Sequence, residues 1–411
     1  MHERWRPNCE RHSYSMPPLD PQRLTPSVSL NRVRLVDLPG LAVDTNVKGK
    51  TGFDLVSAVA LARLIRQHAG SLQLDPNLND DALRLALDSC FVSPDATVRA
   101  AADAIGRRIG RNLGYILLTL KRGDAVNRAA RTEWDDSYWH HWGRIKRVWL
   151  GGGLVGGRLG PVARDSALTI IGEANVGDYT LQISPHAPIL PLVGAAAYAP
   201  PTCKTALVFD FGQTMIKRAW AVYEDGELTE LHRLPSHPTG WTEIERASDD
   251  PAQQATRFFG RMVSIIAATW HRAGMLPGSP ILTSVAAYVQ DGHPMLAQGG
   301  AYGQLRHITD HLQTELARRV GAHLGVGIDV LLIHDGTAAA TTFAGTKNTA
   351  VITVGTAMGI GFPPPADGLR TISPNLTIIG PGPEPCPRRL HPTARTRIWP
   401  VRPPDGPAKA E

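Results

Sequence analysis

The chain has 411 residues, 43% hydrophobic and 19% charged, the balance of a globular protein long enough for two or three domains. Its net charge of +6 comes from its ends: residues 1–34 hold six Arg against three acids, and residues 364–411 hold seven Lys or Arg against four. The middle is therefore neutral, which excludes the basic face that nucleic-acid binding needs.

No apolar run is long enough to span a membrane, and the start, MHERWRPNCERH, lacks a secretory h-region, so no membrane partner and a cytoplasmic location are expected. The cysteines at 9, 90, 203 and 386 form no CxxC pair and read as reduced thiols.

Residues 1–34 form an irregular N-terminal segment. GFDLVSAVALARLIRQH (52–68) then has helical apolar spacing. From Val98 a clearer helix follows, with Val98, Ala102, Ile105, Ile109, Leu113, Ile116 and Leu120 on one stripe. RIKRVWLGGGL is a strand ending in glycines, ILPLVGAAAYA a short helix of small residues, and PPTCK (200–204) a break. ALVFDFG is a buried strand, and MIKRAWAVYEDGELTELHRL a hairpin turning at Asp225-Gly226. Asp250-Pro251 opens a helix to about Arg272. ILTSVAAYV reads as a strand, LRHITDHLQTELARRV as a helix, DVLLIHD as a strand and GTAAATTFAG as a helix. NTAVITVGTAMGIGF is a strand running into a second glycine turn. The last 48 residues carry twelve of the 33 prolines, so 364–411 reads as a disordered or extended tail. The alternation argues an α/β protein.

Four stretches carry chemistry. In VFDFGQT, Asp210 sits at a strand end, where a carboxylate can hold Mg²⁺ directly or through water. Gly212 admits close backbone approach, and Gln213 and Thr214 can donate to phosphate oxygens. The DFG letters also spell a protein-kinase magnesium motif, but no HRD-type loop or VAIK-type strand accompanies them. In LLIHDGTAAA, Asp335 can accept a proton from a substrate hydroxyl, or simply cap the helix. In VITVGTAMGIG, Gly355, Thr356 and Gly359 make a turn able to wrap phosphate, or a plain glycine hairpin. LGGGLVGG matches GxGxxG at Gly151, Gly153 and Gly156, with Glu173 about twenty residues on, but shows no clean βαβ unit.

Jointly these stretches resemble the sugar-kinase, actin and Hsp70 ATPase superfamily, and within it the ROK family of sugar kinases and repressors. The first phosphate loop, DxGGTK, is similar to Asp210–Met215, the catalytic NDxNAAA to His334–Ala340, and the second phosphate loop, xGTGIGGG, to Val354–Gly361. The adenosine-side IVLGGG resembles Val148–Gly153 (with Gly152 in the turn), and the closing GAAAL resembles Gly194–Tyr198. Those two come last in the family and first here, an order that a circular permutation explains, with PPTCK as the link. Met215 and Gln213 stand where the family has Lys and Gly, and His334 where it has a sugar-touching Asn. The family's ExGH element and CxCGxxGC zinc loop have no recognisable counterpart. Cys9, His12, Cys386 and His391 could meet in a permuted chain, but zinc is not expected there.

The resemblance implies a two-lobed, actin-like (ribonuclease H-like) α/β fold. Residues 35–200 would form the second lobe and 204–335 the first, and 336–363 would complete the second. It implies ATP and Mg²⁺, with Mg²⁺ at Asp210, phosphates at residues 212–214 and 355–359, and adenosine near Gly151–Gly153. Asp335 would be the base, and His334 would lie on the sugar. The expected activity is transfer of the γ-phosphoryl group to a hexose-type hydroxyl, with a homodimer as an option. The alternatives are a non-catalytic sugar or nucleotide sensor on the same fold, and a Rossmann-type enzyme built on GGGLVG.

Overall fold

The computed structural model describes residues 18–295 and 301–380. Cys9, His12, Cys386 and His391 lie outside this range, as does the tail from 381 onward.

Twelve strands are present among the described residues: β1 (Arg147–Gly151), β2 (Thr180–Ile183), β3 (Thr205–Phe211), β4 (Met215–Glu224), β5 (Glu227–Pro238), β6 (Ile281–Val285), β7 (Val289–Gln290), β8 (His293–Pro294), β9 (Val330–His334), β10 (Thr349–Val354), β11 (Met358–Gly361) and β12 (Thr371–Ile379). Six helices matter most for the site: α1 (Ala96–Arg122), α2 (Leu159–Glu173), α3 (Leu190–Ala196), α4 (Pro251–Arg272), α5 (Leu312–Leu324) and α6 (Asp335–Thr341). The chain is thus α/β, with two mixed sheets. One has the order β12-β5-β4-β3-β6-β9, the other β11-β10-β1-β2.

The two sheets share a plan. In the larger, the β3–β4 hairpin is followed across the sheet by β6 and β9, both running parallel to β3. In the smaller, the β10–β11 hairpin is followed by β1 and β2, both parallel to β10. Chain order differs between them: the hairpin comes first in the larger sheet and last in the smaller.

Period-two alternation assigns the faces of the larger sheet. Leu207, Phe209 and Phe211 pack with Phe258, Ile266 and Leu316 of α4 and α5. Ala206 and Val208 face the other way, onto Leu192, Val193 and Ala196 of α3. The smaller sheet belongs to a separate core with α1 and α2, where all seven stripe residues of α1 are buried. Each such fully buried aliphatic side chain contributes about 1.5–3 kcal/mol. The small-residue helices α3 and α6 pack together between the sheets, with Leu190, Ala339, Ala340 and Val351 in one cluster.

Several sequence expectations need correction. The helix expected over 52–68 is two, Gly52–Val56 and Ala58–Gln67. Ser57 is extended there, and its hydroxyl accepts from the Ala60 N–H to cap the second. The strand ILTSVAAYV stops at Val285. LRHITDHLQTELARRV is a short 3-10 turn followed by α5. From residue 18 on, the irregular N-terminal segment is packed: Leu24, Val28, Leu30 and Val33 belong to the core of the smaller sheet. Part of the proline-rich tail is strand β12, parallel to β5, where TISPNLTII supplies β-branched residues. The Asp225-Gly226 turn forms as expected, with φ of +47° and +90°.

Candidate functional site

The site lies where both hairpin turns meet α6. The β3–β4 turn is residues 212–214 and the β10–β11 turn is 355–357. Across the cleft the Thr214 and Thr356 hydroxyls lie 3.0 Å apart. Two segments separated by more than 140 residues are thus brought edge to edge.

In the first turn the carbonyls are tied back into the protein. The Tyr302 hydroxyl donates to the Gly212 carbonyl at 2.8 Å. The Thr239 hydroxyl donates to the Gln213 and Thr214 carbonyls at 3.0 and 3.1 Å. The Gln213 side chain donates to the Ala286 carbonyl at 2.9 Å. With the carbonyls engaged, the Gln213 and Thr214 amides have no backbone acceptor among the described residues. In the second turn, Gly355 donates to the Ala357 carbonyl at 3.1 Å and accepts from the Ala58 N–H at 2.9 Å. The Thr356 and Ala357 amides likewise have no backbone acceptor among the described residues. Free N–H groups on two facing turns make an anion-binding concavity.

Alternation places Asp210 on the face opposite Phe209 and Phe211, at the carboxyl end of β3. Cross-strand register sets Lys217 directly opposite it on β4 and Ser284 on β6. The Lys217 ammonium lies 2.8 Å from Asp210 Oδ2, and the Ser284 hydroxyl donates to Oδ1 at 3.1 Å. Asp210 is only 3% exposed, so this pairing offsets most of the cost of burying its charge.

Asp335 opens α6. Its Oδ1 accepts from the Gly336 N–H at 2.7 Å and lies 3.2 Å from His334 Nε2. Burial, and next the charge of Asp210, push its carboxyl up to about 7, against the pull of the Gly336 N–H and Lys217. Its side chain keeps 23% of its surface accessible. Gly336 is needed for this placement: a Cβ there would stand 2.0 Å from the Ile360 carbonyl oxygen, so α6 rests on β11 backbone to backbone. Gly359 lies on that same strand, where a Cβ would come within 3.9 Å of Asp335 Oδ1.

His334 is expected on a substrate, and the structure gives it other partners. Its Nδ1 accepts from the Thr337 N–H at 3.3 Å and so caps α6. That assigns the ring proton to Nε2, which faces Asp335. The ring is buried, which pushes its pKa down to about 3 and keeps it neutral, and it stacks on Tyr288 with centroids 4.4 Å apart.

The Gly151–Gly153 turn joins the site from the side of the smaller sheet. Gly152 has φ +92°, and a Cβ would meet the Val354 carbonyl oxygen at 2.4 Å, so it seats the end of β1 against the strand leading into the second turn. Gly151 packs against Leu190, and only Gly153 of the three faces open space. A clean βαβ unit is present after all: β1, α2 and β2, with the strands parallel and adjacent. Its acid does not fit a dinucleotide site, because Glu173 ends α2 and Ser184, not a carboxylate, follows β2.

Sequence reading missed Lys217, Ser284, Thr239, Tyr288 and Tyr302. Lys217 was within reach, since counting outward from the hairpin turn pairs 211 with 216 and 210 with 217. The others come from distant segments and carry no local pattern. No cluster of three or more metal-ligating His, Cys, Asp or Glu exists among the described residues. No helix there is long and apolar enough to cross a membrane.

In comparisons with known proteins, no family model, no curated protein and no solved structure matches the chain.

Proposed function

We propose that the chain is an ATP-dependent kinase that phosphorylates a hydroxyl of a hexose-type sugar. Its fold would be a circularly permuted, two-lobed, actin-like ATPase of the ROK type. The observation that carries this reading is the meeting of the two turns, Thr214 against Thr356 at 3.0 Å, over the carboxylates Asp210 and Asp335. The shared sheet plan adds support, because each turn is the hairpin of one half. The reversed chain order in the smaller sheet is what a permutation would leave.

In this reading the free amides of Gln213, Thr214, Thr356 and Ala357 and the hydroxyls of Thr214 and Thr356 hold the phosphates of ATP. Lys217 supplies the cation that the resemblance expects at 215, two residues further along the same strand face. Asp335 takes the proton of the attacking hydroxyl on Oδ2, since Oδ1 is held by Gly336 and faced by His334. A carboxyl near 7 suits a base working at neutral pH, and His334 fixes its orientation. The repulsion between Asp210 and Asp335 fits a divalent cation, which Asp210 would hold. When bound, Mg²⁺ supplies charge neutralisation at the transferring phosphoryl group.

The test is ADP release on incubation with ATP, Mg²⁺ and a panel of hexoses and N-acetylhexosamines. Sugar-dependent release from at least one is expected, with thermal stabilisation by ATP and none by NAD. A protein stabilised by ATP but inert toward every sugar would favour a nucleotide sensor. One stabilised by NAD alone would favour the dinucleotide reading.

A further inference from the structure

An open groove lies away from the cleft, on the helical side of the smaller sheet. It consists of two adjoining cavities of about 300 and 290 Å³, which share Asn46, Leu64, Gln67 and Arg108 in their walls. Its titratable lining is Lys50, Asp54, Arg63, His68 and Arg108, three cations against one carboxylate. Arg108 already pairs with Asp44 at 2.5 Å, and Asp54 is spent in the capping box of Thr51. Lys50 and Arg63 have no salt bridge among the described residues, but both act on the Asp54 carboxylate in the same wall, so together they leave it one net positive charge. The wall also includes Asn112, 4% exposed. Its Nδ2 donates to the Leu55 carbonyl at 3.0 Å, fixing the amide's orientation and leaving Oδ1 without a partner. An unpaired buried carbonyl oxygen is costly unless a donor reaches it.

We infer that this groove is a binding site for a small phosphomonoester, its phosphate held by Lys50 and Arg63 and a hydroxyl of its organic part turned toward Asn112. Two cations against the single Asp54 carboxylate leave the wall net positive, which favours the anionic phosphate of a phosphomonoester. Each cavity also falls at the lower end of small-ligand sites, about 300 Å³.

The groove is wired to the cleft. Ala60, Arg63, Leu64 and Gln67 lie on the helix Ala58–Gln67, whose first N–H holds the Gly355 carbonyl at 2.9 Å. The preceding short helix starts at Gly52, where a Cβ would strike Met358 Cε at 2.6 Å and the Leu30 carbonyl oxygen at 2.4 Å. A ligand that tightens these two helices therefore orders the 355–357 turn, making the site an effector site.

Calorimetric titration of the full-length protein with glycerol 3-phosphate and with inorganic phosphate tests this directly, without any kinase assay. Glycerol 3-phosphate is expected to bind one site, weakened at least tenfold in Lys50→Ala/Arg63→Ala and within twofold of wild type in Thr214→Val. Tighter binding of glycerol 3-phosphate than of phosphate supports the hydroxyl contact to Asn112. Equal binding keeps the anion site but overturns that contact. Hydrogen exchange at the Ala58 and Gly355 amides should slow on binding in the wild type only, and unchanged exchange overturns the coupling. No binding by a folded wild type, or equal binding by the double variant, overturns the site.

Discussion

Replacing Lys217 with Met probes the electrostatics of the cleft. The substitution keeps the aliphatic stem and removes the ammonium 2.8 Å from Asp210 Oδ2. The Asp210 side chain is 4% exposed and would retain only the Ser284 hydroxyl as a partner. Breaking a buried pair on one side costs about 3–5 kcal/mol. Because 28% of the Lys217 side chain is exposed, water screens part of this, and a loss of about 2–3 kcal/mol is expected. The assay is urea unfolding at neutral pH of wild type, Lys217→Met, Asp210→Asn and the double variant. The cycle isolates the pair, with an expected coupling of about 2 kcal/mol. A second readout follows from the cleft itself. Lys217 holds the Asp335 carboxyl down, so its loss should move the acidic limb of activity to higher pH. A coupling below about 0.5 kcal/mol together with an unmoved pH profile would refute the role given to this lysine.

Activity of the wild type should fall on the acidic side as Asp335 takes up its proton, about tenfold per pH unit, and a pH–rate profile checks this. The same carboxyl, raised from 3.8, makes the native state bind more protons than the unfolded one between about pH 4 and 7. Stability should therefore decline as pH rises through that window and level off above it, by roughly 4 kcal/mol at most. Asp335→Asn should flatten this decline, measured as urea midpoints across pH. Gly336→Ala places a Cβ 2.0 Å from a backbone oxygen, so a loss of about 3 kcal/mol or more is expected in urea unfolding. Thr356→Val should raise the KM for ATP about tenfold while leaving the unfolding free energy within about 0.5 kcal/mol, because among the described residues its hydroxyl meets only Thr214.

The parts of this fold legible in the sequence were those governed by local periodicity. The stripe of α1, the Asp225-Gly226 turn and the Asp250-Pro251 start of α4 all form where spacing and cap chemistry put them. What escaped depended on partners far away in the chain. Ser57 interrupts an apolar helical run because it caps the next helix, and nothing in the spacing distinguishes that from continuation. Strand β12 exists because β5 offers an unpaired edge, a fact invisible from its own proline-bordered sequence. At the site, the strand-end carboxylates and glycine turns were readable because strand-to-turn transitions mark them locally. His334 would lie on the sugar by analogy with an Asn; its burial and its capping of α6 depend on Tyr288 and Thr337, which the motif does not reveal.

The central claim is that Asp335 accepts a proton during phosphoryl transfer. It is tested most directly by single-turnover transfer from ATP to an active sugar by Asp335→Asn, with ATP affinity measured in parallel. The account predicts transfer slowed by about 10²–10⁴-fold with ATP affinity within a few-fold of wild type. Transfer by the Asn variant at the wild-type rate would contradict it.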